Sequence, residues 1–154
     1  MRHQNPAHGV HAILSGSAKY PDLQGKVTFS EVYGGTIVSA FVEGLPDNKK
    51  GNFYGFHIHE GGSCTGDNTD PFKNAGSHYN PTKAEHPFHA GDMPVLMGNH
   101  GMAWSEFYTD RFYPEDVVGK TVIIHDMADD FKTQPSGDAG ERIACGVIQM
   151  GEEE

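Results

Sequence analysis

The residues best suited to chemistry in this 154-residue chain are histidines. Two of them, His57 and His59, alternate with Phe56 and Ile58 in the segment GFHIHEGGSC. Because successive side chains of a β-strand point to opposite faces, this alternation predicts a strand with both imidazoles on one face. Imidazole nitrogens are common ligands of copper and zinc. In a chain with ten histidines, however, this pair alone is explained equally well by ordinary packing or surface exposure.

A second group of candidate ligands lies in one irregular segment, SHYNPTKAEHPFHAGD. It combines imidazoles with a carboxylate, a ligand set that suits tetrahedral zinc. The glycine-containing turn before the aspartate can fold the carboxylate back towards the ion that the imidazoles bind. The four candidate ligands are His78, His86, His89 and Asp92.

Three other kinds of metal site fit the sequence less well. A zinc deaminase needs a Cys-x-x-Cys motif, and the chain has none. A zincin needs His-Glu-x-x-His on a helix, which is also missing. A cupin barrel shares the His-x-His strand, but the chain has Ser63 and Cys64 where that class places its glutamate.

Charge and composition exclude several classes of partner. The formal net charge of −10 disfavours nucleic acid and anionic membranes, because both are bound through basic patches. No apolar run approaches the length of a membrane span, so membrane insertion is not expected. The N-terminal residues lack the apolar core of a signal peptide, which predicts a cytoplasmic protein as written, or an exported one whose signal has been removed. Cys64 and Cys145 could be free thiols or a disulfide.

The elements that must position the histidines are predicted to be short strands. The 20 glycines and nine prolines imply many turns, and no stretch has a convincing helical period. An all-β sandwich or barrel is therefore expected. The predicted strands are residues 10–14, 26–32, 36–45, 53–59, 103–108, 120–125 and 143–150.

Two long segments without strand character interrupt this pattern, residues 60–92 and 126–142. Loops of this length inside a compact domain are usually functional. The chain shows no internal repeat and no domain boundary. We therefore expect residues 1–154 to form a single domain, with residues 1–8 as a flexible terminus.

Five separated segments resemble the copper–zinc superoxide dismutase family in order and spacing, over about residues 10–150. The short interval between His59 and Cys64 resembles the bacterial branch of that family. The resemblance implies an eight-stranded Greek-key β-barrel or sandwich with two long functional loops. It also implies an oxidoreductase that converts superoxide to dioxygen and hydrogen peroxide by cycling copper between Cu(II) and Cu(I). The segments are GFHIHEGGSC, NAGSHYNP, HPFHAGD, VIIHDMADD and GERIACGVI.

The same resemblance implies roles for individual residues. Arg142 would orient the superoxide anion beside copper, and Asp129 would accept hydrogen bonds from one ligand of each metal. Cys64 and Cys145 would form a disulfide. His78 would bridge the metals as an imidazolate and carry a proton in the second half of the cycle. Copper would be bound by His57, His59, His78 and His125, and a structural zinc by His78, His86, His89 and Asp92.

The sequence leaves alternatives for the function, the oligomeric state and the role of several basic residues. A zinc-bound, non-catalytic relative and a copper-buffering protein are the alternatives, although no copper ligand of the family is missing here. A homodimer is possible, because bacterial members of the family include dimers and monomers. Lys83 and Lys132 are candidates for steering the anion, and ordinary surface lysines are the simpler explanation. Met1-Arg2-His3 could chelate Cu(II), but His3, His8 and His11 lie outside the family motifs.

Overall fold

The computed structural model describes residues 9–151, so the predicted flexible terminus, with His3 and His8, lies outside the described residues. Within them the chain is almost entirely β-structure, apart from the single helical turn α1 (Pro114–Val117) and a short 3-10 turn (Lys73–Ala75). No helix in residues 9–151 is long and apolar enough to cross a membrane. The strands are β1 (Val10–Gly16), β2 (Gln24–Val32), β3 (Gly35–Glu43), β4 (Phe53–Tyr54), β5 (Phe56–His59), β6 (Leu96–Met97), β7 (Ala103–Thr109), β8 (Thr121–His125) and β9 (Arg142–Met150).

Seven strands form one antiparallel sheet in the order β5-β8-β9-β1-β2-β3-β7. The remaining strands, β4 and β6, pair with each other, and β6 also packs against β7. Because β4 runs into β5 at the opposite edge of the large sheet, the strands close into a barrel. β7 pairs with β3 across the intervening β4, β5 and β6, which is a Greek-key connection. The all-β prediction is confirmed, and the described chain has eight strands if β4 and β5 count as one interrupted strand.

Gly55 interrupts the strand predicted over residues 53–59. Its N–H donates to the carbonyl of Met127, and its carbonyl accepts from the N–H of His125, both at 2.8 Å. A Cβ at this position would lie 2.8 Å from Cβ of Ala139 and 3.3 Å from Cε1 of His57. Only glycine therefore allows the loop after β8 to approach the histidine strand this closely.

β5 and β8 are buried on both faces, unlike an ordinary barrel strand with one face in water. Their inward side chains belong to the main hydrophobic core of the barrel. Their outward side chains are covered by the loop that follows β5, where Ile123 packs with Phe72 and Ala75 in a second small cluster. The inward residues are Phe56, Ile58, Val122 and Ile124.

Three short elements were not predicted, namely β6, α1 and the 3-10 turn, and several strand ends differ from the predicted ones by one or two residues. β6 has only two residues, too few to show a period of two. α1 is a single turn begun by Pro114, with the Asp116 carboxylate accepting from the N–H of Tyr113 at 2.9 Å. The second long loop ends one residue earlier than predicted, because Arg142 already belongs to β9.

Candidate metal centre

Four buried histidines converge on the outer face of β5 and β8. His57 and His59 come from β5, and His125 is the last residue of β8. His78 lies in the loop after β5 and forms an isolated bridge with His59. Each imidazole offers one nitrogen, and these four atoms lie within 4.8 Å of one another. Pairing of β5 with β8 thus brings together histidines that are far apart in the sequence.

The nitrogens that face this common point have no hydrogen-bond partner in the described chain. In two of these rings the other nitrogen donates a hydrogen bond to a main-chain carbonyl. Nδ1 of His59 donates to the carbonyl of Gly76 at 2.8 Å, and Nδ1 of His125 donates to that of Gly140 at 3.2 Å. Leaving a buried polar atom without a partner costs about 1–3 kcal/mol of folding free energy. Four such nitrogens around one point therefore fit a site for a metal ion that binds all four. The atoms are Nδ1 of His57 and Nε2 of His59, His78 and His125.

A second cluster shares His78 with the first. Nδ1 of His78 lies 2.8 Å from Oδ1 of Asp92 and 3.2 Å from Nδ1 of His89. Nδ1 of His86 lies 3.0 Å from Oδ2 of Asp92, and Nδ1 of His89 lies 3.2 Å from the same oxygen. Three nitrogens and a carboxylate therefore surround a second point, with donors that suit tetrahedral zinc. His78 turns Nδ1 to this point and Nε2 to the first.

His57 also lies within reach of the second cluster and can be grouped with His78, His86 and Asp92. Its ring stacks on that of His78, with ring centroids 4.0 Å apart. However, the nitrogen of His57 that is free of hydrogen bonds is Nδ1, which belongs to the first cluster, while its Nε2 is already engaged. We therefore take His89 as the fourth donor of the second cluster.

Asp129 joins the two clusters from outside both ligand sets. Its buried carboxylate accepts from Nε2 of His57 at 2.6 Å and from Nε2 of His86 at 2.8 Å. Because each Nε2 carries the proton, Nδ1 of both rings is left free to bind a metal. The main-chain N–H of Phe131 donates to the same carboxylate at 2.7 Å, which fixes its orientation.

The loop that covers these clusters is attached to β9 at two places. Cys64 and Cys145 form a disulfide that joins the loop to the strand. The guanidinium of Arg142 donates from Nη1 to the carbonyl of Phe72 at 2.9 Å and from Nη2 to that of Gly76 at 2.7 Å. The Gly76 carbonyl thus accepts from both Arg142 and His59.

An open pocket of about 490 Å³ gives solvent access to the first cluster, and His59, His125 and Arg142 line it. Glu60 lies exposed at its rim and belongs to neither ligand group. The steering candidates Lys83 and Lys132 are both exposed and are not among the lining residues. Arg142 is therefore the one cationic side chain among those that line this pocket.

Burial lowers the pKa of several of the clustered imidazoles. It lowers the pKa of His57 and of His59 well below the ordinary value, and the neighbouring imidazoles lower it further. Burial also lowers the pKa of His125 to about 4. For Asp92, burial acts to raise the pKa, but the contacts with His78 and the other imidazoles outweigh it and hold the pKa below its ordinary value. Neutral imidazoles with an ionised carboxylate are the forms that bind metals.

Sequence reasoning missed the backbone groups that orient the ligands. The carbonyls of Gly76 and Gly140 fix the rings of His59 and His125, and a carbonyl leaves no side-chain signal in a sequence. Two of the histidines within residues 9–151 stay outside the site, since His11 is buried in β1 and His100 is exposed on the turn before β7. All the ligands that the family resemblance implied lie within the two clusters.

Fold and site together define an antiparallel β-barrel with a histidine-rich centre that can hold two metal ions. A family model described as copper/zinc superoxide dismutase matches residues 23–148. The chain belongs to the copper/zinc superoxide dismutase family. The predicted family, enzyme class and pair of metals are thereby confirmed.

Individual relatives come from bacteria and animals. A Cu-Zn superoxide dismutase of Deinococcus radiodurans is 36% identical over 145 residues, covering 82% of this chain and 78% of that protein. A Cu-Zn superoxide dismutase A of Xenopus laevis is 33% identical over 152 residues, covering 88% and 93%. The structure of the Cu/Zn superoxide dismutase from Brucella abortus superposes with a TM-score of 0.77 at 28% identity, covering 90% of this chain and 98% of that one.

The low pKa values predict how the metal-free protein responds to acid. Below about pH 6.5 the unfolded chain binds protons at its histidines, whereas folded His125 stays neutral down to about pH 4. The free energy of unfolding should therefore fall as pH is lowered through this window. Urea denaturation of chelator-treated protein at several pH values measures it. A His125→Gln variant should show a shallower slope, and a pH-independent wild type would contradict the prediction.

Proposed function

We propose that this chain acts as a superoxide dismutase through one copper ion and one zinc ion held by the two clusters. Copper would be held by Nδ1 of His57 and Nε2 of His59, His78 and His125, and zinc by His78, His86, His89 and Asp92. The four unpartnered buried nitrogens around one point support this assignment most strongly. When bound, copper would supply the one-electron chemistry, since zinc has no accessible second oxidation state. Two superoxide anions and two protons give one dioxygen and one hydrogen peroxide.

Arg142 is proposed to hold the superoxide anion in the pocket. A guanidinium has five N–H donors, and the carbonyls of Phe72 and Gly76 take one from each terminal nitrogen. The remaining donors can bind an anion, and the two carbonyl contacts keep the group beside His59 and His125. A local positive charge is needed here because the chain as a whole carries −10 and repels anions.

His78 is proposed to move a proton at Nε2. Its Nδ1 stays with the second cluster, 2.8 Å from Asp92, so the ring remains fixed whether Nε2 is protonated or not. Nε2 faces the first cluster, and His78 also lines the open pocket. Because Arg142 lines the same pocket, this nitrogen could deliver its proton to a reduced oxygen species held there.

Two non-enzymatic functions remain as alternatives, those of a zinc-bound non-catalytic relative and of a copper buffer. Neither needs an open pocket with a cationic side chain beside the first cluster. The chain has both that pocket and the complete set of four convergent nitrogens, which supports the enzyme. Residues 1–154 are proposed to form the single domain that carries this activity.

A homodimer is the oligomeric state proposed for this chain. Phe41 and Trp104 are direct cross-strand neighbours on β3 and β7, and their side chains are 45% and 77% exposed. A second copy could bury this apolar pair, as aromatic residues commonly are at interfaces. Light scattering on the purified protein distinguishes the mass of two chains from that of one, and a single-chain mass at high concentration excludes the dimer.

Reconstitution tests the activity directly. The metal-free protein is loaded with copper and zinc, its metal content is determined by mass spectrometry, and superoxide removal is followed by stopped flow beside the apoprotein. We expect one copper and one zinc per chain with rapid turnover. Zinc alone, or copper without turnover, would support the alternatives instead.

Substitution of one copper ligand separates the two metals. His125→Ala removes a nitrogen from the first cluster only, so we expect loss of copper and activity while zinc stays bound. His100→Asn is the matched control, because His100 is exposed and asparagine tolerates its φ of 53°. Metal content and turnover of the control should equal those of the wild type. Retention of copper by His125→Ala would contradict the assignment.

Substitution of the pocket cation tests anion binding apart from metal binding. Arg142→Ala should keep both metals but lower the second-order rate constant by about tenfold or more, because steering and orientation of the anion are lost. Arg142→Lys keeps the charge and should lose less. Lys49→Ala removes the same charge from an exposed residue outside the pocket lining, and its rate should be unchanged. An unaltered rate in Arg142→Ala would remove this residue from the mechanism.

A further inference from the structure

The segment that carries His86 and His89 lies outside every strand and helix in the described chain. Pro87 between them has no N–H to donate. Buried main-chain polar groups need partners, and no strand ladder supplies them here. Two are bound locally, since the N–H of Phe88 donates to the carbonyl of Glu85 at 2.7 Å and the N–H of Asp92 to that of His89 at 3.0 Å. The N–H of His89 donates to Oδ2 of Asp92 at 3.0 Å, which is a contact within the ligand set. The N–H and carbonyl of His86 and the carbonyls of Pro87 and His89 are bound by the side chains of two residues from elsewhere.

Gln134 binds both main-chain groups of His86. Its Nε2 donates to the His86 carbonyl at 2.7 Å, and its Oε1 accepts from the His86 N–H at 2.9 Å. The side-chain amide thus pairs with the peptide as a neighbouring strand would. Asp129 lies in the same loop and accepts from Nε2 of the His86 ring at 2.8 Å. One loop therefore fixes His86 at its backbone and at its imidazole.

Arg111 binds two main-chain carbonyls in the part of the segment around His89. Its Nη1 donates to the carbonyl of Pro87 at 2.7 Å and to that of His89 at 3.0 Å. Arg111 follows the end of β7, so it connects the ligand segment to the barrel. Hydrogen bonds from a charged donor are stronger than those from a neutral donor. The Arg111 contacts can therefore hold the segment even though Arg111 is exposed.

We propose that Gln134 and Arg111 are positioning residues that hold residues 86–89 in the geometry needed to bind zinc. Neither belongs to a ligand cluster, and both act on the main chain of His86, Pro87 and His89. Zinc sites require close tetrahedral placement of their ligands, and an irregular segment would otherwise lose conformational entropy when the metal binds. This inference rests on the zinc assignment made under Proposed function.

The test measures zinc affinity of the full chain by chelator competition, together with the visible spectrum of the cobalt-substituted site. Gln134→Met keeps the length of the side chain but removes both hydrogen bonds, and zinc affinity should fall about tenfold, as for other partners of metal ligands. Gln134→Glu keeps the acceptor for the His86 N–H and should lose less. Gln149→Met, at an exposed position of β9, is the matched control and should match the wild type.

Arg111→Ala should lower zinc affinity in the same way, and Arg111→Lys should restore part of it because an ammonium can still donate to these carbonyls. Copper affinity should stay close to wild type in each variant, and any loss of apoprotein stability from the removed hydrogen bonds should be smaller than the loss of zinc-binding free energy. Wild-type zinc affinity in both Gln134→Met and Arg111→Ala would overturn the proposal. Equal losses of copper, zinc and apoprotein stability would also overturn it, because they indicate a general structural role. If the wild type itself bound no zinc, the zinc assignment under Proposed function would fail, and that result is distinct from failure of the present proposal. His86→Ala, which removes a proposed zinc ligand, gives the zinc affinity of a protein without the complete site.

Discussion

The rest of the site depends on one buried carboxylate, that of Asp129, which lies between two imidazoles of different clusters. Its contacts of 2.6 Å to His57 and 2.8 Å to His86 decide which nitrogen of each ring carries a proton. That choice leaves Nδ1 of both rings available and sets the direction from which each cluster can bind an ion. Without an acceptor here, two buried N–H groups would lack partners and both rings could rotate.

The barrel and the loops contribute to the centre in different ways. β5 and β8 supply three histidines on a rigid, doubly buried surface, so the positions of His57, His59 and His125 follow from strand pairing. The loops supply the remaining donors from irregular backbone, where isolated bridges to β5 place His78 and Asp92 and side-chain hydrogen bonds help to hold His86 and His89. The disulfide and Arg142 both join the covering loop to β9, the strand that pairs with β8. The two clusters thus lie where rigid and irregular structure meet.

The sequence predicts the local parts of this arrangement well and the long-range parts poorly. A period of two placed His57 and His59 on one face, and close spacing suggested that His86, His89 and Asp92 act together. Nothing local indicates that His125 meets them, since that contact depends on β5 pairing with β8 across more than 60 residues; only the family resemblance implied it. Gln134 and Arg111 were missed for a related reason, because their partners are main-chain atoms that any residue possesses.

The carbonyl of Gly76 accepts hydrogen bonds from the ring of His59 and from the guanidinium of Arg142. One oxygen atom therefore orients both a proposed copper ligand and the group proposed to bind the substrate anion. Under the proposed mechanism, a substitution that moved this carbonyl would therefore disturb copper binding and anion binding together rather than one of them alone.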